Sequence, residues 1–107
     1  MSEVTAFQRK VYAALKLIPS GRVTTYKELS IYLHCNSAQA IGQALKRNPF
    51  APQVPCHRVI KTDLSIGGYI GADDGENLNK KRALLEKEGV FFKENGKLLR
   101  EDQLFQF

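Results

Sequence analysis

The chain has 107 residues, 43% hydrophobic and 25% charged, proportions that suit one globular domain with its own core and leave too little for two. No run approaches the ~18–20 apolar residues of a membrane span, and Met1-Ser2-Glu3-Val4-Thr5 lacks the basic-then-apolar start of a signal peptide. An intracellular protein is therefore expected, cytoplasmic or, in a eukaryote, nuclear, with no membrane partner. The net charge of +5 tilts the partner class toward polyanions without singling out nucleic acid, and the two cysteines, Cys35 and Cys56, are expected to be reduced.

Thr5-Ala6-Phe7-Gln8 matches a capping box. Phe7, Val11, Ala14, Leu15 and Ile18 then recur at helical spacing, which predicts an amphipathic helix stopped by Pro19-Ser20-Gly21. Arg22-Val23-Thr24 reads as a short extended segment. A second capping box, Thr25 to Glu28, opens a short helix through about Leu33, with Leu29, Ile31, Tyr32 and Leu33 as its apolar side. His34-Cys35-Asn36 is a tight turn, and Ser37 caps a helix over about Ala38 to Arg47. Ala38, Ile41, Gly42 and Leu45 share one face of that helix, and Gln39, Gln43 and Lys46 lie on the other. Residues 25–47 thus have the spacing of a helix-turn-helix, a spacing that purely structural helical hairpins share. The crowd of small residues in the second helix, with Gly42 in its interior, fits a close approach by backbone or ligand such as the narrow minor groove.

Three prolines, Pro49, Pro52 and Pro55, make a rigid connector to Val54-Pro55-Cys56-His57-Arg58-Val59-Ile60. Pro55 stiffens the approach to Cys56, and Val59-Ile60 reads as a short buried strand. A thiol on such an elbow (54–60), with an imidazole next in sequence, is either a nucleophile or a small core hydrophobe beside a satisfied histidine. Lys61 to Ser65 forms a turn. Ile66-Gly67-Gly68-Tyr69-Ile70-Gly71 is a glycine-rich loop suited to cover a planar group, without the Gly-Lys-Ser/Thr ending of a phosphate loop. Asp73-Asp74-Gly75-Glu76 is an acidic turn. A last helix runs from about Asn77 to Glu88 with Gly89 just past its end, and Leu78, Leu84 and Leu85 mark its apolar face. Glu88 shares that face, so it either snorkels at the helix end or has a buried partner. Val90 to Leu99 reads as a hairpin with an Asn95-Gly96 turn.

Pro55-Cys56-His57-Arg58-Val59, preceded by Thr25-Tyr26-Lys27-Glu28-Leu29, Ala40-Ile41-Gly42-Gln43-Ala44-Leu45 and Arg47-Asn48-Pro49, resembles the O6-alkylguanine-DNA alkyltransferases, from about Phe7 to Gly89. The fold this implies is mainly α, a winged helix-turn-helix-like DNA-binding domain with a short C-terminal β-hairpin, one domain over 1–107. The implied function is irreversible, single-turnover transfer of an alkyl group from flipped O6-alkylguanine, O6-methylguanine first among them, to Cys56. His57 then activates the thiol through a water, Glu88 orients His57, and Asn48 braces the recognition helix against the elbow. The resemblance further implies that Tyr26 sits beside the target nucleotide and that the Val59 carbonyl accepts from the guanine amino group. Tyr69 and Ile70 then belong to a lid loop, 66–71, and Ala38, Gln39, Gly42, Gln43, Lys46 and Arg47 to the minor-groove face on double-stranded DNA. No cofactor, no metal and a monomer are expected, since adjacent pairs such as His34-Cys35 and Cys56-His57 lack metal-ligand spacing.

Two departures stand out. Gln39 occupies the position of the family's arginine finger, and Ile70 that of its pocket serine. Residues 72–77 read as an insertion, and the extra N-terminal domain of many members is not expected here. The alternative is a non-catalytic alkyltransferase-like protein that binds alkylated guanine and flags it for other repair machinery. Those relatives carry tryptophan at the acceptor position, where this chain has Cys56 and no tryptophan at all. A plain DNA-binding module with an incidental cysteine leaves Cys56, His57, Glu88 and Asn48 unexplained together.

Overall fold

The computed structural model of the chain describes residues 5–49, 53–67 and 75–107. Among them are α1 (Ala6–Leu15), α2 (Tyr26–Tyr32), α3 (Ala38–Lys46) and α4 (Gly75–Lys87), the two-residue strands β1 (Thr24–Thr25) and β2 (Val59–Ile60), and 3-10 turns at Cys56–Arg58 and Glu101–Gln103. The architecture is mainly helical, with α1 and α2 both packed on α3 in a helix-turn-helix-like arrangement.

Local chemistry sets the helix ends. Thr5 and Gln8 form the expected capping box, each side chain accepting from the other's backbone N–H at 3.0 Å. The helix stops at Leu15, short of Ile18, because a residue before proline disfavours the α conformation. Ile18 is nonetheless buried, carried there by the tighter bonds Leu17 N–H to Ala14 O and Ile18 N–H to Leu15 O. Gly21 follows at φ +89, and a Cβ there would stand 3.3 Å from the Glu88 carbonyl oxygen, so this turn lies close against the end of α4.

Thr25 and Ser37 cap α2 and α3 through the N–H groups of Glu28 and Ala40. Between the two helices His34 takes φ +52, with Cys35 N–H bonded to Ser30 O and His34 N–H to Ile31 O. That is a Schellman ending built on histidine instead of glycine, at a cost of about 1–2 kcal/mol in conformational strain. The expected apolar side of α2 is narrower than the pattern suggested. Leu29 is fully buried, but Ile31 and Tyr32 are 56% and 45% exposed, since Ile31 falls two residues, more than half a turn, from Leu29.

β1 and β2 pair in parallel, Thr24 opposite Val59 and Thr25 opposite Ile60. Alternation sends Val59 into one core cluster with Val11, Leu15, Leu29, Ile41 and Cys56. Ile60 joins a second cluster with Val23, Ile66, Leu85, Val90 and Leu98. The strand pair therefore divides two small cores, and the elbow lies where they meet.

α4 begins at Gly75, not Asn77, so Gly75 and Glu76 belong to the helix and not to a turn. Its C-terminus follows the expected glycine ending. Gly89 sits at φ +85, Gly89 N–H bonds Glu86 O, Val90 N–H bonds Leu85 O, and Val90 and Leu85 are both fully buried. The C-terminal hairpin is reduced to one antiparallel bridge, Phe92 with Leu98. Its second arm is shared with the turn before Ile66, where Ser65 bridges Lys97 and Leu98 N–H donates to Leu64 O at 2.8 Å. Beyond it Leu104 bridges Val23 in parallel, extending the small sheet from the C-terminal side.

Candidate functional site

The elbow is built by Pro55. Its φ of −82 and ψ of 70 place it at the centre of an inverse γ-turn closed by Cys56 N–H to Val54 O at 2.9 Å. Arg58 N–H to Pro55 O then closes the 3-10 turn that carries Cys56, His57 and Arg58. Asn48, just past α3, donates from Nδ2 to the same Val54 carbonyl at 2.9 Å and is itself buried. The end of α3 is thereby tied to the approach of the thiol.

Cys56 is 5% exposed and His57 2%. Burial pushes the Cys56 thiol up, partly offset by the Asn48 side-chain hydrogen bond and the Lys81 charge. His57 Nε2 lies 3.0 Å from Glu88 Oε2. A carboxylate only accepts, so Nε2 carries the proton and Nδ1 holds the free lone pair. Nδ1 is buried and has no hydrogen-bond partner among the described residues. Burial pulls the imidazole below its usual range, against the upward pull of Glu88. Glu88 itself is pushed up by burial, yet the hydrogen bonds and charges of Arg58 and His57 outweigh this and hold it below the usual carboxylate range.

Two residues that sequence reasoning passed over complete the arrangement. Arg58 grips Glu88 with Nε at 2.9 Å from Oε1 and Nη2 at 2.6 Å from Oε2, and spends Nη1 on the Ile18 carbonyl at 2.7 Å. Lys81 is 1% exposed and donates from Nζ to the Val59 carbonyl at 2.8 Å. Its position was readable: three residues after Leu78 and four before Leu85, Lys81 falls on the apolar face of α4. For Arg58 no such signal exists, since its partners, Ile18 and Glu88, come from distant parts of the chain.

Asn48, Cys56, His57, Glu88 and Val59 are thus brought together. Tyr26 stands at the first position of α2, half-buried against the first core cluster. Gln39, Gln43, Lys46 and Arg47 are exposed on and just after α3, Gly42 lies in that helix and Ala38 opens it. A Cβ added at Gly42 would meet nothing within 4 Å, so no packing inside the protein requires glycine there. Cys35 stays in the turn after α2, its Sγ 3.7 Å from the Ser37 carbonyl. Tyr69 and Ile70 lie outside the described residues, as do residues 72–74 of the suspected insertion.

Residues 6–90 match the family described as the 6-O-methylguanine DNA methyltransferase, DNA binding domain. The chain belongs to this family. A methylated-DNA--protein-cysteine methyltransferase of Methanothermobacter thermautotrophicus is 42% identical over 86 residues, 80% of this chain and 46% of that protein. The chain spans about half the length of most of the curated methyltransferases it matches. Mycobacterium tuberculosis OGT, solved in complex with DNA, superposes with a TM-score of 0.73 at 41% identity, covering 81% of this chain and 51% of that one. S. pombe Atl1, solved in complex with damaged DNA containing O6-carboxymethylguanine, superposes with a TM-score of 0.79 at 29% identity over 99% of this chain and all of that one. Within the 6-O-methylguanine DNA methyltransferase domain family, then, the chain is similar in sequence to methyltransferases and similar in extent to Atl1.

Proposed function

We propose that the chain is a DNA repair protein that takes O6-alkylguanine, O6-methylguanine first among them, out of the duplex and moves the alkyl group irreversibly to Cys56. The observation that carries this reading is the state of His57. One ring nitrogen is fixed by a carboxylate, and the other is a buried acceptor next in sequence to a buried thiol. That is how a general base is oriented for a nucleophile whose own pKa is too high to ionise unaided.

In this mechanism Nδ1 draws the thiol proton through a water. Sγ attacks the alkyl carbon, the Sγ–C bond forms as the C–O6 bond breaks, and the electron pair stays on the guanine. The proton returns to the purine. Thiol, base and substrate balance the reaction, so no cofactor or metal is assigned. The thioether has no leaving route, and each molecule acts once.

Residues 1–107 form one domain in this reading, a winged helix-turn-helix-like DNA-binding unit (25–47) joined to an elbow (54–60) and a lid (66–71). α3 lies in the minor groove as a monomer on duplex DNA. Ala38 and Gly42 allow its close approach, Gln39 takes the place of the flipped base, and Gln43, Lys46 and Arg47 hold the strands. Tyr26 turns the nucleotide out, at a cost of a few kcal/mol that is smaller at a damaged pair. The Val59 carbonyl keeps a second lone pair for the guanine amino group beside its bond from Lys81. Tyr69 and Ile70 close over the alkyl group, Ile70 without a hydroxyl. Among the described residues no helix is long and apolar enough to cross a membrane, and we assign the protein to the cytoplasm, or the nucleus of a eukaryote.

The end-to-end likeness to Atl1 favours a second reading, a lesion-binding protein that flags alkylated guanine for other repair machinery. Intact-protein mass spectrometry after incubation with a duplex holding one O6-methylguanine decides between them. Transfer adds one CH2 unit (a methyl for a hydrogen) once per molecule, and Cys56→Ala adds none. Lesion-specific binding with no mass gain supports the flagging role instead.

A further inference from the structure

The last turn of α3 is closed from outside the helix. A continuing helix would bring the Asn48 N–H to the Ala44 carbonyl, four residues earlier. That N–H bonds the Leu45 carbonyl instead, at 3.3 Å. The donor at Ala44 O is the Tyr12 hydroxyl of α1, at 2.8 Å. Tyr12 and Ala44 are both buried, so water does not readily replace either partner. Burial also pushes the phenol up, and the hydroxyl keeps the proton it donates. A phenylalanine on this face of α1 would pack without a polar atom to satisfy, so the hydroxyl itself needs an explanation. Its consequence falls on Asn48, which leaves the α ladder one residue before Pro49, where the α conformation is disfavoured. Asn48 Nδ2 then reaches the Val54 carbonyl at 2.9 Å, and the same carbonyl accepts the Cys56 N–H at 2.9 Å. Contacts of measured length thus lead from α1, through the end of α3, to the backbone of the thiol residue.

We propose that Tyr12 is a positioning residue of the alkyl-transfer site: by holding the Ala44 carbonyl, its hydroxyl ends α3 where Asn48 can turn to Val54 and set the elbow under Cys56. The inference rests on the alkyl-transfer reading and extends that site to the first helix. Tyr12 acts through Asn48, and no bond of Tyr12 is made or broken in the transfer. Without the hydroxyl, Ala44 O regains the Asn48 N–H and α3 lengthens by a residue. Nδ2 is then drawn off the Val54 carbonyl, and the approach to Cys56 loosens. The ring alone supplies the packing of α1 on α3, so hydroxyl and ring have separable roles.

The test uses the full chain and Tyr12→Phe, which keeps the ring and removes the hydroxyl alone. Without DNA, 15N NMR follows the Asn48 side-chain amide and the Cys56 backbone amide. The Asn48 side-chain protons are expected to exchange with solvent about tenfold faster in Tyr12→Phe, and the Cys56 amide to shift. With a saturating O6-methylguanine duplex, single-turnover transfer is expected to slow about tenfold while the Kd for undamaged duplex stays within about twofold. A purely structural role would lower Tm and leave the saturated rate and the Asn48 signals unmoved, and that result overturns the proposal. The double variant Tyr12→Phe with Asn48→Ala is expected to transfer no more slowly than Asn48→Ala alone; losses that multiply overturn the proposal. Should Tyr12→Phe fail to fold, difluorotyrosine at position 12 in a Cys56→Ser background decides, its more acidic hydroxyl being protonated at low pH. The Asn48 side-chain signal must move as that hydroxyl ionises, and a signal that ignores the ionisation overturns the proposal. Absence of transfer from the parent would sink the alkyl-transfer reading, while the Asn48 signals still decide whether Tyr12 sets the end of α3.

Discussion

Arg58→Met removes a guanidinium while keeping an apolar stem of similar length, and the structure fixes what is lost. Three hydrogen bonds disappear, two to Glu88 at 2.9 and 2.6 Å and one to the Ile18 carbonyl at 2.7 Å. The side chains of Arg58 and Glu88 are 17% and 16% exposed, between a surface pair and a fully buried one. Exposed pairs contribute about 0–1 kcal/mol, and breaking a buried pair costs about 3–5 kcal/mol. Ile18 is 1% exposed, so its carbonyl also loses a donor that water does not readily replace. A loss of about 2–3 kcal/mol follows, the midpoint of those two limits. For a domain of this size it lowers Tm by about 10–20 °C.

The same substitution acts on His57. Arg58 both lowers the imidazole directly and takes most of the Glu88 carboxylate. Without it the imidazole moves up toward its ordinary value, and the acid limb of the pH profile of the proposed alkyl transfer moves to higher pH. Circular dichroism melts and single-turnover transfer rates between pH 5 and 8, a span that brackets the ordinary imidazole value of about 6.5, measure the two effects separately. A variant within about 0.5 kcal/mol of the parent, the spread of an ordinary surface substitution, would refute the energetic reasoning. An unmoved acid limb would refute the claim that Arg58 divides the charge of Glu88.

The remaining expectations come from other parts of the fold. Gly42→Ala meets no protein atom within 4 Å, so it should stabilise α3 by about 0.5–1 kcal/mol. It should also weaken binding to duplex DNA; stabilisation with unchanged affinity would remove Gly42 from the groove. Thr24 is fully buried and its Oγ1 has no partner among the described residues, so the nearly isosteric Thr24→Val should raise stability by about 1 kcal/mol in urea unfolding. A loss of stability would mean that the hydroxyl is satisfied. Stability against pH should fall on both sides of neutrality. The lowered His57 and Glu88 contribute fully above about 6.5 and 4.3 respectively and are lost as pH drops through their folded values, while the raised Cys56 contributes below about 8.5 and is lost as pH climbs through its folded value. Chemical denaturation midpoints across pH check this, and Cys56→Ala should flatten the alkaline side alone.

Much of the helical framework was legible because its signals are local. The Thr5–Gln8 box, the Ser37 cap and the Gly89 ending each involve groups a few residues apart and are made as expected, while of the Thr25–Glu28 box only the Thr25 half is made. The meeting of Cys56, His57, Asn48 and Glu88 was reached through family likeness, with the apolar-face position of Glu88 as its one local hint. The parallel pairing of Thr24 with Val59 was not legible, since nothing within two-residue strands names a distant partner. The C-terminal hairpin was overread for a related reason. Its Asn95-Gly96 turn is a strong local signal, but Leu98 gives its N–H to Leu64, and the ladder is divided between two neighbours. Lys81 was readable from its place between Leu78 and Leu85 on the apolar face of α4, whereas Arg58 had no local signal, since its partners Ile18 and Glu88 are 40 and 30 residues away.

Taken together, these charges define a resting state. Burial raises the thiol and lowers the imidazole, so both shifts favour the neutral pair over thiolate and imidazolium. Glu88 would reverse this if its whole charge fell on His57, but Arg58 holds both of its oxygens and keeps the pull partial. If Cys56 is the acceptor we propose, used once, a neutral resting thiol has a clear consequence. A standing thiolate would be spent on any small electrophile, whereas a thiol 5% exposed and pushed up by burial stays protonated at rest. On this reasoning the site trades reactivity at rest for specificity in use. Arg58 sets the trade through Glu88, which is why Arg58→Met should move the acid limb of the pH profile of the proposed transfer.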